Sequence, residues 1–265
     1  MKRLLAILLI SSGFHLNSAH ANPAEYEGIR ELPETASADK ILRYRQDLAG
    51  AQRQFDMIWA TVLKKFSKQK KFLAELESEH ESWLKFRDGM SHTMGMMGVD
   101  ADFSPKGSSV FMRRKALYTR DRTKWLRGLL EQPGTENNLS GVWWSSMGDA
   151  IRIEQTKDDI RFSYSASGGN GHQGVSAGTI QWNDGKGTFT AVWGDSTSAD
   201  KGTIVFDVEN GLLRTEEKGV VSKAAGTQVA FSNKFTRIAP LSDKDRERIP
   251  YDIKSFGPPN AKNHN

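Results

Sequence analysis

Thr203-Ile204-Val205-Phe206-Asp207-Val208-Glu209-Asn210-Gly211-Leu212-Leu213-Arg214-Thr215-Glu216 reads as a β-hairpin. Ile204, Phe206 and Val208 recur at every second position, which lays one apolar face along an extended segment. Asn210-Gly211 then supplies two residues that tolerate the left-handed backbone of a tight turn. The same period extends outward on both sides. Upstream lie Val142–Trp144, Ala150–Gln155 with Ile151 and Ile153 on one face, Ile160–Ser165 with Ile160, Phe162 and Tyr164, Gly178–Trp182 and Thr188–Trp193. Downstream lies Val229–Thr236. Asp158-Asp159, Gly168-Gly169-Asn170-Gly171 and Asn183-Asp184-Gly185 stand at the turn positions. About eight short strands with tight turns predict an antiparallel β-barrel or small β-sandwich over residues 138–240.

Before Asn138 the apolar period changes from 2 to about 3.6. Ile41, Leu48, Phe55 and Val62, with Tyr44, Ala51 and Ile58 between them, predict a helix from about Ala38 to Phe66, with Ser37 at its N-cap. Leu73, Leu76, His80, Trp83, Arg87 and Met90 form a second stripe. Phe111, Tyr118, Trp125 and Leu129 form a third, which Gln132-Pro133-Gly134 ends. No single stripe can bury itself, so residues 36–134 are predicted to form an N-terminal antiparallel helical bundle. The fold class is therefore α+β, a helical half followed by a β half. Residues 241–265 are polar and proline-containing and read as a C-terminal tail. Along the second helix Glu75 and Glu79 share one face and Glu77 and Glu81 another. All four read as solvated.

The start of the chain has its own signature. Lys2 and Arg3 precede the apolar run Leu4–Ile10, and Ala19-His20-Ala21 offers the small-x-small pattern of a cleavage site. Residues 1–21 are thus read as a secretory signal peptide, 22–35 as a linker, and the mature protein as periplasmic or secreted. The apolar run is far shorter than the roughly 20 residues of a membrane span, so no span is expected after cleavage. There is no cysteine, which removes disulfides, thiolate metal sites and thiol nucleophiles. The formal charge is +5; losing Lys2 and Arg3 leaves +3, split as +4 over 22–134 and −1 from Thr135 onward. So mild a basic excess, without interleaved aromatics, argues against nucleic acid as a partner.

Chemistry-bearing residues are few. Gly174-Val175-Ser176-Ala177-Gly178 has the spacing of a nucleophile elbow, but that motif works at a strand-to-helix turn and here more strand follows. Met90, His92, Met94, Met96 and Met97 bring thioethers and imidazole together, ligand types that suit Cu(I) and that equally fill packing gaps. With His172 they are the candidate binding residues; no metal or cofactor is assigned. Trp143, Trp144, Trp182 and Trp193 are a large aromatic supply for a small β domain, either core or the lining of a barrel mouth. No catalytic constellation emerges, and the chain is read as non-enzymatic.

The helical half resembles the N-terminal domain of the lysozyme inhibitor LprI-like family. The resemblance rests on Ala38-Asp39, Tyr44 and Leu48, then on Ser82-Trp83-Leu84-Lys85-Phe86-Arg87-Asp88, and on Gly107-Ser108 and Thr119, Arg122 and Leu126, spanning roughly residues 36–130. Trp83, Arg87 and Asp88 are its structural motif. The family commonly carries cysteines around this stretch, whereas here Met90 stands near the second position. The resemblance implies an exported inhibitor of lysozyme or another cell-wall hydrolase. The alternative drawn from the β half is a periplasmic barrel that holds a small ligand.

Overall fold

The computed structural model describes residues 38–93, 108–131, 137–167, 173–193, 200–219, 221 and 229–257. These described residues belong to one compact unit. Three helices come first: α1 (Ala38–Lys65), α2 (Lys70–Thr93) and α3 (Ser109–Glu131). Ser37, the expected N-cap of α1, lies outside the described residues. The expected stripes supply much of the buried surface, although Phe72 rather than Leu73 is buried at the start of α2. Phe55, Val62, Phe66, Phe72, Leu76, Trp83, Trp125, Leu126 and Leu129 form one core. Leu212, from the barrel, completes that core.

Nine strands follow in one antiparallel sheet: β1 (Gly141–Ser145), β2 (Ala150–Gln155), β3 (Ile160–Ser167), β4 (Gln173–Thr179), β5 (Gln181–Asn183), β6 (Lys186–Trp193), β7 (Asp200–Glu209), β8 (Leu212–Gly219) and β9 (Asn233–Ala239). Their order is β4-β3-β2-β1-β9-β8-β7-β6-β5. The two ends of that order, β4 and β5, are separated in the chain only by Ile180. One extended run therefore pairs with β3 through its first half and with β6 through its second. The Ile180 amide donates to the Ile160 carbonyl at 2.7 Å, carrying the β3 ladder to the junction. The sheet is thus nearly closed into a barrel, which leaves few unpaired edge groups. The hairpin reading holds in detail: Asp184-Gly185 and Asn210-Gly211 have φ of 50°, 77°, 55° and 81°, the left-handed pair a two-residue hairpin requires.

The barrel interior is apolar and dense. Trp143, Phe162, Tyr164, Phe189, Phe206, Phe231 and Phe235 are buried there with Ile151, Ile153 and Ile204. Phe162 meets Phe189 and Phe206 edge to face at centroid distances of 4.9 and 5.2 Å. Gly178 makes this possible, because a Cβ there would collide with the Phe189 ring.

The polar segment from 241 differs from expectation. Asp243–Phe256 is a helix, α4, packed on the outer face of the barrel. Ser242 and Asp245 form a reciprocal capping box that satisfies first-turn amides. Ile249 and Ile253, one turn apart, join Leu241 against Val142, Trp144 and Ala150. Arg152 Nε donates to Asp245 at 2.7 Å and Arg246 to Glu154 at 3.0 Å. Pro250, which the sequence offers as a helix breaker, sits on the exposed side. Residues 258–265 lie outside the described residues.

Candidate functional site

The residues that carry the family resemblance form an aromatic-cation stack inside the helical layer. Trp83 is 0% exposed. Phe55 of α1 and His80 of α2 stack on it at 5.4 and 5.6 Å, and Trp59 covers the other side of His80 at 4.6 Å. Arg87 lies 5.0 Å over the Trp83 ring, donates to Asp88 at 2.8 Å and reaches Gln52 of α1 at 3.4 Å. Asp88 in turn receives Lys115 of α3 at 3.0 Å. Burial raises the Asp88 carboxyl pKa, but the bonds from Arg87 and Lys115 outweigh it and hold the group below its ordinary value.

The centre of the cluster is Arg122 of α3, also 0% exposed. Its guanidinium lies 4.2 Å over Trp125 and 5.5 Å over Trp83, and it forks onto both carboxylate oxygens of Glu79. Ser146, in the β1–β2 turn, donates to the same carboxylate. A guanidinium suits this place because it is planar, weakly hydrated and bidentate. Burial lowers the Arg122 pKa, and Glu79 opposes that shift. His80 feels burial first and then the Arg122 charge, which bring its pKa down to about 4. The cluster thus keeps a neutral imidazole beside a fully buried cation. Each of these charges is engaged by a partner, so the cluster fixes the geometry of the three helices.

The expectation of four solvated glutamates is corrected by this geometry. Glu77 and Glu81 are exposed, whereas Glu79 holds Arg122, and Glu75 receives Arg214 of β8 at 3.0 Å and Lys234 of β9 at 3.6 Å. The face carrying Glu75 and Glu79 is the one turned to the barrel. A shallow cleft of about 220 Å³ lies at this junction, lined by Lys70, Lys71, Phe72, Glu75, Glu209 and Arg214.

The remaining sequence candidates scatter. Met90 is half-buried near the end of α2, and His92 packs on Phe111 of α3 at 4.7 Å. Met94, Met96, Met97 and His172 lie outside the described residues. Among the described residues no group of three His, Cys, Asp or Glu side chains could hold a metal ion. Ser176 is in mid-strand, opposite Tyr164 in the β3–β4 register, with its side chain turned into the barrel rather than lifted on an elbow.

A second polar constellation lies inside the barrel, and the sequence reading missed it. Asp149 is buried just before β2 and accepts from the Ser167 amide at 2.8 Å and from Asn233 Nδ2 at 2.6 Å. Burial raises its pKa, and the bonds from Ser167, Asn233 and Ser145 only partly offset that. Tyr164, Thr215 and Asn233 share its surroundings. The available signal is alternation itself: Asp149 precedes Ile151 and Ile153 by even steps, so it falls on the interior face. Comparison with protein-family models, with curated proteins and with solved structures returned no significant match.

Proposed function

We propose that this chain is an exported, non-enzymatic binding protein, an LprI-like helical bundle joined to a β-barrel, and that it inhibits lysozyme or another cell-wall hydrolase. The observation that carries the reading is the Trp83-Arg87-Asp88 stretch. Its side chains join α1, α2 and α3 into a rigid mount through Gln52, Lys115 and the Trp83 stack. An inhibitor of this kind occludes a cleft and needs preorganised geometry rather than chemistry of its own. The connection between α2 and α3 is the segment we assign to the target; residues 94–107 of it lie outside the described residues.

A cell-wall lysis assay across several lysozyme classes tests this. Excess protein slows lysis in proportion to its concentration, and deleting Gly95–Asp102 removes the effect while the helical signal persists. The +4 charge of the helical half opposes encounter with a basic enzyme, so moderate salt strengthens inhibition of such an enzyme. Unslowed lysis in every class rules the inhibitor reading out.

One observation favours a second reading, a barrel that holds a small ligand. The buried hydroxyls of Tyr164 and Ser176 face the interior without a hydrogen bond of normal geometry.

A further inference from the structure

Register divides the barrel interior into two unlike ends. Interior positions deep in the barrel carry Phe162, Phe189 and Phe206. Toward the end where β3 finishes and β4 begins, Ala166 faces Gly174, Tyr164 faces Ser176, and Ala191 faces Gly202. Small side chains on four strands, β3, β4, β6 and β7, therefore replace large ones. In the same layer Thr215 faces Asn233, and Glu217 faces Ile204.

Polar and negative groups share this end with the Phe231 ring, 4.8 Å from Tyr164. Tyr164 is 0% and Ser176 3% exposed, and neither hydroxyl makes a hydrogen bond of normal geometry. The Thr215 hydroxyl accepts the Asn233 amide at 3.0 Å and also lies against the Tyr164 hydroxyl, whose pKa it lowers. Glu217 is half-buried, and its Oε2 accepts the Phe231 amide at 3.1 Å. Tyr164 pairs with Ile151, one interior step from Asp149, and burial first, then the charges of Asp149 and Glu217, push its pKa well up. Among the described strand residues, no lysine, arginine or histidine occupies an interior position at this end.

Resting on the ligand-binding reading above, we propose that the Asp149 end of the barrel binds a small primary amine in its ammonium form. An ammonium group brings three donors and no acceptor, which matches two hydroxyl oxygens and a carboxylate. Asp149 accepts from Ser167, Asn233 and Ser145, and two carboxylate oxygens keep a lone pair for one further donor. The rings of Phe231 and Phe235, at 4.8 and 5.4 Å from Tyr164, supply the aromatic surround that stabilises a desolvated cation. An anion is repelled by Asp149 and Glu217, and a hydrocarbon leaves both hydroxyls unmet.

Titrating the full chain with ethanolamine and with ethylene glycol, followed by calorimetry and by the tyrosine ring resonances, tests the site. Ethanolamine is expected to bind at least about tenfold more tightly, as one charge-assisted hydrogen bond implies. Tyr164→Phe and Ser176→Ala each weaken ethanolamine binding by about tenfold for the same reason and leave thermal stability unchanged or higher. Asp149→Asn abolishes the preference for ethanolamine; Glu217→Gln, at a half-buried position, reduces it and serves if the Asp149 variant does not fold. Equal binding of the two probes overturns the ammonium assignment and leaves a barrel that takes neutral ligands. Binding of neither probe by the folded chain overturns both the assignment and the ligand-binding reading.

Discussion

Glu79 and Arg122 show how much one pair can depend on the other. Arg122 is fully enclosed between two tryptophan rings, and Glu79 supplies its counter-charge. Removing one partner of a buried pair strands the other charge in a poor solvent. Glu79→Ala is therefore expected to cost about 3–5 kcal/mol in denaturant unfolding. A cost below about 1 kcal/mol places Arg122 in water instead. His80 gives a pH signature beside the same pair. Its imidazole is protonated at pH 6.5 in an unfolded chain but only near pH 4 when folded. Between those values the unfolded state holds more protons, so stability falls as pH drops from 6.5 toward about 4 and levels below that. Above pH 6.5 the contribution is fully present. His80→Phe keeps the stack on Phe55 and Trp83 and should flatten the fall across that window, measured as the denaturant midpoint against pH. An identical fall in both proteins assigns it to other groups. Trp83 and Arg87 were legible as interior residues because they lie on the α2 stripe. The Glu79–Arg122 pair was not, since its members are 43 positions apart and only packing brings them together.

Elements whose cues are local followed the sequence closely. Asn210-Gly211 fixes a two-residue turn, and alternation on either side fixes which face of β7 and β8 goes inward. The strand between β3 and β6 was read as Gly178–Trp182, but it begins earlier and bends at Ile180, because its partner changes there. No periodicity within a segment records a change of partner. The α4 helix escaped for a different reason. Its burial rests on Ile249 and Asp252 among exposed charged residues, and Pro250 argues against a helix. The Ser242–Asp245 box starts it, and it docks through Ile249 and Ile253 together with polar contacts: Arg152 on Asp245, and Ser163 on the buried carboxylate of Asp252, which Arg248 of the same helix also bonds. Burial raises the Asp245 pKa, but its bonds from Ser242 and Arg152 leave it below the ordinary value. Ser242→Ala removes a cap and is expected to lower stability by about 1 kcal/mol. Asp245→Ala, which also strands Arg152, should cost clearly more. Equal losses in thermal unfolding exclude a docking role for the Arg152 pair.

At the level of the entire chain, two sequence periods predict two domains, yet the structure joins them at several points. Leu212 of β8 belongs to the helical core, Ser146 shares Glu79 with Arg122, and the Thr236 hydroxyl donates to the Trp125 carbonyl at 2.8 Å. One close approach is at Gly128 of α3. A Cβ there would stand 2.5 Å from the Arg237 carbonyl oxygen and 2.9 Å from Thr236 Oγ1. The first is backbone in a paired strand and cannot rotate away. Gly128→Ala thus forces α3 off β9, at a cost of about 1–3 kcal/mol for an overpacked contact. The value of this substitution is what it reports about cooperativity. Helical ellipticity follows α1–α3, whereas the ring resonances of Tyr164, buried in the barrel, follow the sheet. If the halves stabilise each other, both signals trace one transition, and Gly128→Ala lowers both midpoints together. Independent halves behave otherwise: the two signals separate, and the substitution leaves each midpoint where it was, because its clash is confined to their contact. The density of that contact, with α3 buried on one side by α1 and α2 and on the other by β9, favours the single transition.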